Sequence, residues 1–180
     1  EIEANADLAA LVRTLPDFPK PGIMFRDVST LLLDGRGFRT AIDRLIATFA
    51  PDAVDLIAGV EARGFIVASA LSYALTKGKI MLRKSGKLPG AAVGIDYALE
   101  YGTDRIEMHV GAVAPGTRVL LVDDLIATGG TATAAIGLLR AIGAEVLAAC
   151  FVIGLPELGG AAKIAALGVP VRTLVTFDGH

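Results

Sequence analysis

Cysteine is almost missing from this sequence. The 180 residues hold one, Cys150, so no internal disulfide can form. Long apolar runs are missing as well. The longest, residues 146–155, is about half of the roughly 20 residues that a membrane-spanning helix needs, so the abundant Ala, Val, Leu and Ile are read as core. No basic-then-apolar signal segment opens the chain. With the lone thiol, this predicts a reducing, cytoplasmic setting and no membrane. Nor is there an excess of positive charge: the net charge is −2, which argues against general nucleic-acid binding. Two nucleotide-binding signatures are absent. Nothing matches Gly-x-x-x-x-Gly-Lys-[Ser/Thr]. Gly35-Arg36-Gly37-Phe38-Arg39-Thr40 fails the last glycine of Gly-x-Gly-x-x-Gly and follows no strong strand.

What is present suits one folded domain over residues 1–180. Apolar residues make up 53% and charged residues 20%, and this length can bury a real core. Apolar β-branched runs at 54–60, 80–82, 118–122, 145–153 and 171–175 alternate with helical patterns at about 64–75, 131–142 and 161–167. A further helix is expected within 34–50, from about Phe38. This alternation predicts an α/β fold, a central parallel sheet flanked by helices. Two segments depart from it. Residues 1–35 hold a short helical pattern near 8–13, then Pro16-Asp17-Phe18-Pro19-Lys20-Pro21-Gly22, whose prolines forbid helix and favour an extended path. Residues 84–108 are punctuated by Gly86, Gly90, Gly94 and Gly102 and read as a flexible lid, a two-strand flap returning along 104–109. Just before and within it lie Lys77, Lys79, Arg83, Lys84 and Lys87, with no acid among them. That run is either a solvated loop or an anion site.

The strongest signal is Val119-Leu120-Leu121-Val122-Asp123-Asp124-Leu125-Ile126-Ala127-Thr128-Gly129-Gly130-Thr131. A buried strand ends in two carboxylates, and a small-residue loop then opens a helix. In a parallel sheet, ligands gather at the carboxyl ends of the strands. Successive amides of Ala127, Thr128, Gly129, Gly130 and Thr131, two hydroxyls and the positive end of a helix make a phosphate cradle. Asp123 and Asp124 beside it accept hydrogen bonds from a vicinal diol. Phosphate next to diol fits a ribose 5′-phosphate.

This segment resembles the phosphoribosyl pyrophosphate (PRPP) signature of the type I phosphoribosyltransferases. Asp17-Phe18-Pro19-Lys20-Pro21-Gly22-Ile23-Met24-Phe25-Arg26-Asp27, Gly59-Val60-Glu61-Ala62-Arg63-Gly64-Phe65, Arg83-Lys84-Ser85-Gly86-Lys87-Leu88-Pro89-Gly90 and Leu99-Glu100-Tyr101-Gly102 are similar to the adenine-using branch of that family, in register from about Leu11 onward. The resemblance implies the type I phosphoribosyltransferase fold, with residues 1–35 as a small hood and 84–108 as the lid. It implies a purine salvage reaction in which adenine and PRPP give AMP and pyrophosphate with Mg²⁺, the metal carried by PRPP and not held directly by the chain. By position, Ala127–Thr131 would hold the 5′-phosphate, Asp123 and Asp124 the ribose hydroxyls, and Arg63, Arg83, Lys84 and Lys87 the pyrophosphate. Met24, Phe25 and Arg26 would read adenine, Phe25 by stacking and the others through backbone groups. Glu100 and Tyr101 on the lid are the catalytic candidates, Glu100 as the acid assisting the base nitrogen. The resemblance further implies a non-proline cis peptide at Glu61–Ala62 and a homodimer across which Arg83 reaches. Cys150, His109 and His180 receive no role. Another purine, or a regulatory protein that only senses PRPP, remain the alternatives.

Overall fold

The computed structural model describes residues 4–99 and 101–179. In chain order the elements are α1 (Ala6–Ala9), β1 (Arg13–Pro16), β2 (Met24–Asp27), α2 (Ser29–Leu33), α3 (Gly35–Ile46), β3 (Leu56–Val60), α4 (Gly64–Leu75), β4 (Gly78–Lys84), β5 (Ala92–Ala98), β6 (Thr103–His109), β7 (Arg118–Ile126), α5 (Gly130–Ala141), β8 (Glu145–Gly154), α6 (Gly160–Ala166) and β9 (Val171–Thr176). Seven strands form one sheet in the order β5-β6-β4-β3-β7-β8-β9. Pairing is parallel from β4 through β9. It turns antiparallel where β6 meets β4 and β5.

Both faces of the sheet are covered, which is why its strands are apolar on both sides of the pleat. In β7, Leu120 and Val122 pack with Leu45 of α3 and with Val67 and Leu71 of α4. Val119 and Leu121 point the other way, toward Ile136 and Leu139 of α5. The strand–helix alternation places the ends of β3, β4 and β7 side by side, since Val60 pairs with Leu82 and Gly59 with Val122.

Several elements differ from the expectations. The first helix is only Ala6–Ala9, and Arg13 already belongs to β1. The reason is long-range: Arg13 sits opposite Asp27 in the β1–β2 hairpin, with its Nη2 2.5 Å from the Asp27 carboxylate. Helix α3 begins at Gly35 rather than Phe38, because the Asp34 side chain accepts the Gly37 N–H at 2.8 Å and caps it. Helix α2 was not expected. Strand β7 does not stop at Val122 but runs on to Ile126, since β8 keeps pairing beside it as far as Gly154. Asp123 and Asp124 therefore lie within the ladder.

The proline segment is the turn of the β1–β2 hairpin. It holds a cis Phe18–Pro19 bond and is closed by the Asp17 carboxylate accepting from Gly22 N–H at 2.9 Å. Residues 92–98 and 103–109 pair fully as an antiparallel hairpin, and Ile95 and Tyr97 pack on the α5 side of the core. Among the described residues no helix is long and apolar enough to cross a membrane.

Candidate active site

Where β7 hands over to α5, the chain turns through Gly129 at φ 84° and opens a twelve-residue helix at Gly130. A cavity of about 520 Å³ lies above this turn. Ala127, Thr128, Gly129, Gly130 and Thr131 line it together with Asp123, and the end of the β5–β6 hairpin (Tyr97, Ala98, Leu99) forms its far wall. Among the described residues no hydrogen bond engages the backbone N–H of Thr128, Gly129, Gly130, Thr131 or Ala132, whereas Thr133 donates both its N–H and its hydroxyl to the Gly129 carbonyl. The open amides of the first helical turn are donors in want of an acceptor, beside the positive end of a helix dipole.

The two acids differ in their surroundings. Asp124 is 7% exposed and takes the Arg63 Nε at 2.5 Å, a pairing that raises Arg63 further above its ordinary value. Asp123 accepts the Asp124 N–H at 2.8 Å. Helix α4 starts against it: a Cβ on Gly64 would come within 2.7 Å of Asp123 Oδ1, so only glycine fits. Burial, and then the neighbouring Asp124 charge, push the Asp123 carboxyl up to about 8. These surroundings favour the protonated form of Asp123.

Each basic residue expected to meet pyrophosphate has an acid from another element on it. Arg63 has Asp124. Glu61 takes the Lys87 ammonium and the Lys84 N–H, both at 2.5 Å, and Arg83 Nε stands 3.5 Å away over the Phe65 ring. Burial pushes the Glu61 carboxyl up, but Lys87 and the Lys84 amide outweigh it and hold it below the usual range. Lys84 donates to Asp104 at 2.6 Å and to the Tyr97 hydroxyl. Burial works against the Lys84 charge, and these two partners outweigh it. The Glu61–Ala62 bond is cis.

The hood approaches the same strand ends. The Arg63 guanidinium is 6.0 Å from the Phe25 ring, which in turn meets Phe18 edge-on at 5.2 Å. Met24 is 39% exposed beside it. The Arg26 side chain turns away, to the Thr14 hydroxyl, the Asp178 carbonyl and the face of Phe177. It ties the hood to the segment after β9. Tyr101 stands 87% exposed in the turn between β5 and β6, and Glu100 lies outside the described residues. Cys150 is buried in β8, with burial pushing its thiol up to about 12.

The phosphoribosyl transferase domain family matches residues 30–169. The chain belongs to the phosphoribosyltransferase family. It is 64% identical over 174 residues to an adenine phosphoribosyltransferase of Rhodopseudomonas palustris, covering 97% of this chain and 96% of that one. The crystal structure of the adenine phosphoribosyltransferase from Rhodothermus marinus superposes with a TM-score of 0.91 at 43% identity, over 98% of this chain and 100% of that one. The Saccharomyces cerevisiae enzyme, solved with adenine and an imino-altritol bisphosphate, gives 0.87 at 36% identity over 94% and 97% of the two chains.

In this phosphoribosyltransferase two polar residues at the cavity were not anticipated from the sequence. Lys163 of α6 is one, a lone lysine on a solvated helix that carries no pattern. Tyr97 is the other. It lay within the segment read as a flexible lid, so neither its packing beside Val93 and Ile95 nor its hydroxyl contact with Thr131 at 3.1 Å was foreseen. That hydroxyl joins the hairpin, Lys84 and Thr131 at the start of α5. Tyr97→Phe keeps the ring and deletes the joint, and a hydrogen bond of this kind is worth about 1 kcal/mol. The expected result is a KM for PRPP raised roughly five-fold, read from steady-state rates at saturating adenine. An unchanged KM would mean that the hairpin and loop are not coupled through Tyr97.

Proposed function

We propose that the protein transfers the phosphoribosyl group of PRPP to adenine, giving AMP and pyrophosphate in purine salvage. One observation carries this reading. At the start of α5 a run of amides without partners among the described residues borders a cavity that also holds a protonatable acid, Asp123, beside the Arg63–Asp124 pair. Donors in sequence suit a 5′-phosphate, and acids next to it suit the ribose hydroxyls. The likeness to enzymes named for adenine supports the choice of base.

In this reading Thr128, Gly129, Gly130 and Thr131 hold the phosphate, and Asp123 and Asp124 hold the ribose. Arg63, Arg83, Lys84 and Lys87 take the pyrophosphate by exchanging their present carboxylates for it. Adenine stacks on Phe25 near Arg63, with backbone groups of Met24 and Arg26 reading its edge. A site offering a carbonyl to an exocyclic amine rejects a purine with oxygen there. Glu100 serves as the acid at the base nitrogen, with Tyr101 beside it on a hairpin that closes to keep water from PRPP. Among the described residues no three His, Cys, Asp or Glu side chains converge to hold an ion. Mg²⁺ would enter as the PRPP complex and would stabilise the charge of the departing pyrophosphate. The working unit is a homodimer in the cytoplasm. Ile66 and Tyr73 of α4 and Met81 of β4 are exposed beside the strand that carries Arg83, an apolar face suited to a second copy.

The test is direct. With PRPP and Mg²⁺, adenine is expected to be converted to AMP, while guanine, hypoxanthine and xanthine are left. Turnover of guanine without adenine would overturn the choice of base. Absence of any turnover, with PRPP bound and DNA retarded in a gel, would favour a PRPP-sensing regulator.

A further inference from the structure

The loop proposed to take the phosphate has no cation of its own. Among the described residues lining the cavity, Lys163 is the one basic side chain. It is exposed on α6, and its Nζ donates to the Thr128 carbonyl at 3.0 Å. The root of that side chain is fixed against the loop by backbone. Gly160 N–H donates to the Ala127 carbonyl at 2.9 Å. A Cβ on Gly160 would come within 2.7 Å of Gly129 N, and one on Gly129 within 2.8 Å of Gly160 Cα. Helix α6 and the loop therefore touch main chain to main chain. The ammonium is set beside the cradle, and among the described residues one carbonyl alone holds it there, which is a weak partner for a full charge. The other basic groups near the site are each engaged by a carboxylate: Arg63 by Asp124, Lys87 and Arg83 by Glu61, and Lys84 by Asp104.

We infer that Lys163 is a ligand of the sugar's terminal phosphate, its ammonium passing from the Thr128 carbonyl to the phosphate oxygens when the cradle fills. A phosphate monoester carries between one and two negative charges near neutral pH. Helix amides offset about half a charge, and Lys163 supplies most of the rest. The inference rests on the reading of residues 128–131 as a phosphate site. It differs from a bracing role, in which Lys163 would only hold the loop through Thr128.

Lys163→Met keeps the apolar stem and removes the charge, and Lys163→Arg restores it. Binding of AMP and ribose 5-phosphate is measured by titration calorimetry, the KM for adenine by steady-state rates, and folding by thermal melting. In Lys163→Met both phosphorylated ligands are expected to bind about ten-fold more weakly, the scale of one charge-assisted hydrogen bond. The KM for PRPP should rise by a similar factor with kcat within two-fold, while the adenine KM and the melting temperature stay put. Lys163→Arg should recover most of the AMP affinity. AMP affinity within two-fold of the parent in Lys163→Met overturns the inference. So does a loss shared equally by AMP and adenine, which is the signature of a brace. Failure of the unaltered protein to bind ribose 5-phosphate would instead remove the phosphate-site reading itself.

Discussion

Gly129→Ala is expected to lower kcat/KM for PRPP by at least about a hundred-fold while the chain still folds. Gly129 sits at φ 84°, a conformation that costs an L-residue roughly 1–2 kcal/mol. Its new Cβ would stand 2.8 Å from Gly160 Cα and 3.2 Å from Gly160 O. Those are main-chain atoms of α6, so no flexible side chain can give way. The loop must lift off α6, and it carries the amides of Thr128, Gly130 and Thr131 with it. Preorganised donors tolerate about 0.5 Å of error, and a shift of roughly 1 Å costs on the order of a hundred-fold. Stability suffers less, about 2–4 °C of melting temperature per kcal/mol for a chain of this size. Gly111→Ala separates the two effects. Gly111 has φ 75° and nothing within 4 Å of a Cβ, so it bears the conformational cost without a collision and should keep activity within about two-fold. Steady-state kinetics and melting curves on both variants check this. A Gly129→Ala enzyme retaining a tenth or more of parental kcat/KM would mean that the turn is not a phosphate cradle.

How legible the site was depends on distance along the chain. Asp123 through Thr131 could be singled out as a candidate cradle because the residues are consecutive, and strand, loop and helix follow one another without a gap. The parallel sheet was legible for the same reason, since each strand–helix unit announces itself by its own period. What escaped is held by partners far apart in sequence. Arg13 looked helical, yet Asp27, fourteen residues on, draws it into a strand. The basic run from Lys77 to Lys87 showed no acid among its neighbours, but in space Glu61 and Asp104 sit on Lys87 and Lys84. Arg26 carried a motif, but its side chain goes to Asp178, 152 residues away. A residue's type shows what it can bind, while its partner is chosen by the packing of other elements.

The same packing makes Asp123→Asn the change with the largest expected effect on stability. The folded protein holds Asp123 near 8, against an ordinary value of 3.8, first because it is buried and next because Asp124 is ionised beside it. Below pH 4 the folded and unfolded chains both keep this proton. Between pH 4 and 8 the unfolded chain releases it and the folded chain does not, so unfolding is favoured increasingly as the pH rises. Above about 8 the folded carboxyl ionises too and the penalty levels off at its greatest value. The span of the shift sets a ceiling of roughly 6 kcal/mol, the opposing pull of Arg63 already included. Asparagine has the shape of the protonated acid, keeps the oxygen that accepts Asp124 N–H at 2.8 Å, and never ionises. Relative to the parent, Asp123→Asn should therefore melt at the same temperature at pH 4 and about 4–8 °C higher at pH 8.5, corresponding to about 2 kcal/mol. The gain is expected to come with weaker capture of PRPP, because in the proposed reading the acid that destabilises the fold also takes the ribose hydroxyls. Parallel melting curves for the two proteins from pH 4 to 9 would show that Asp123 is not the group strained by this site.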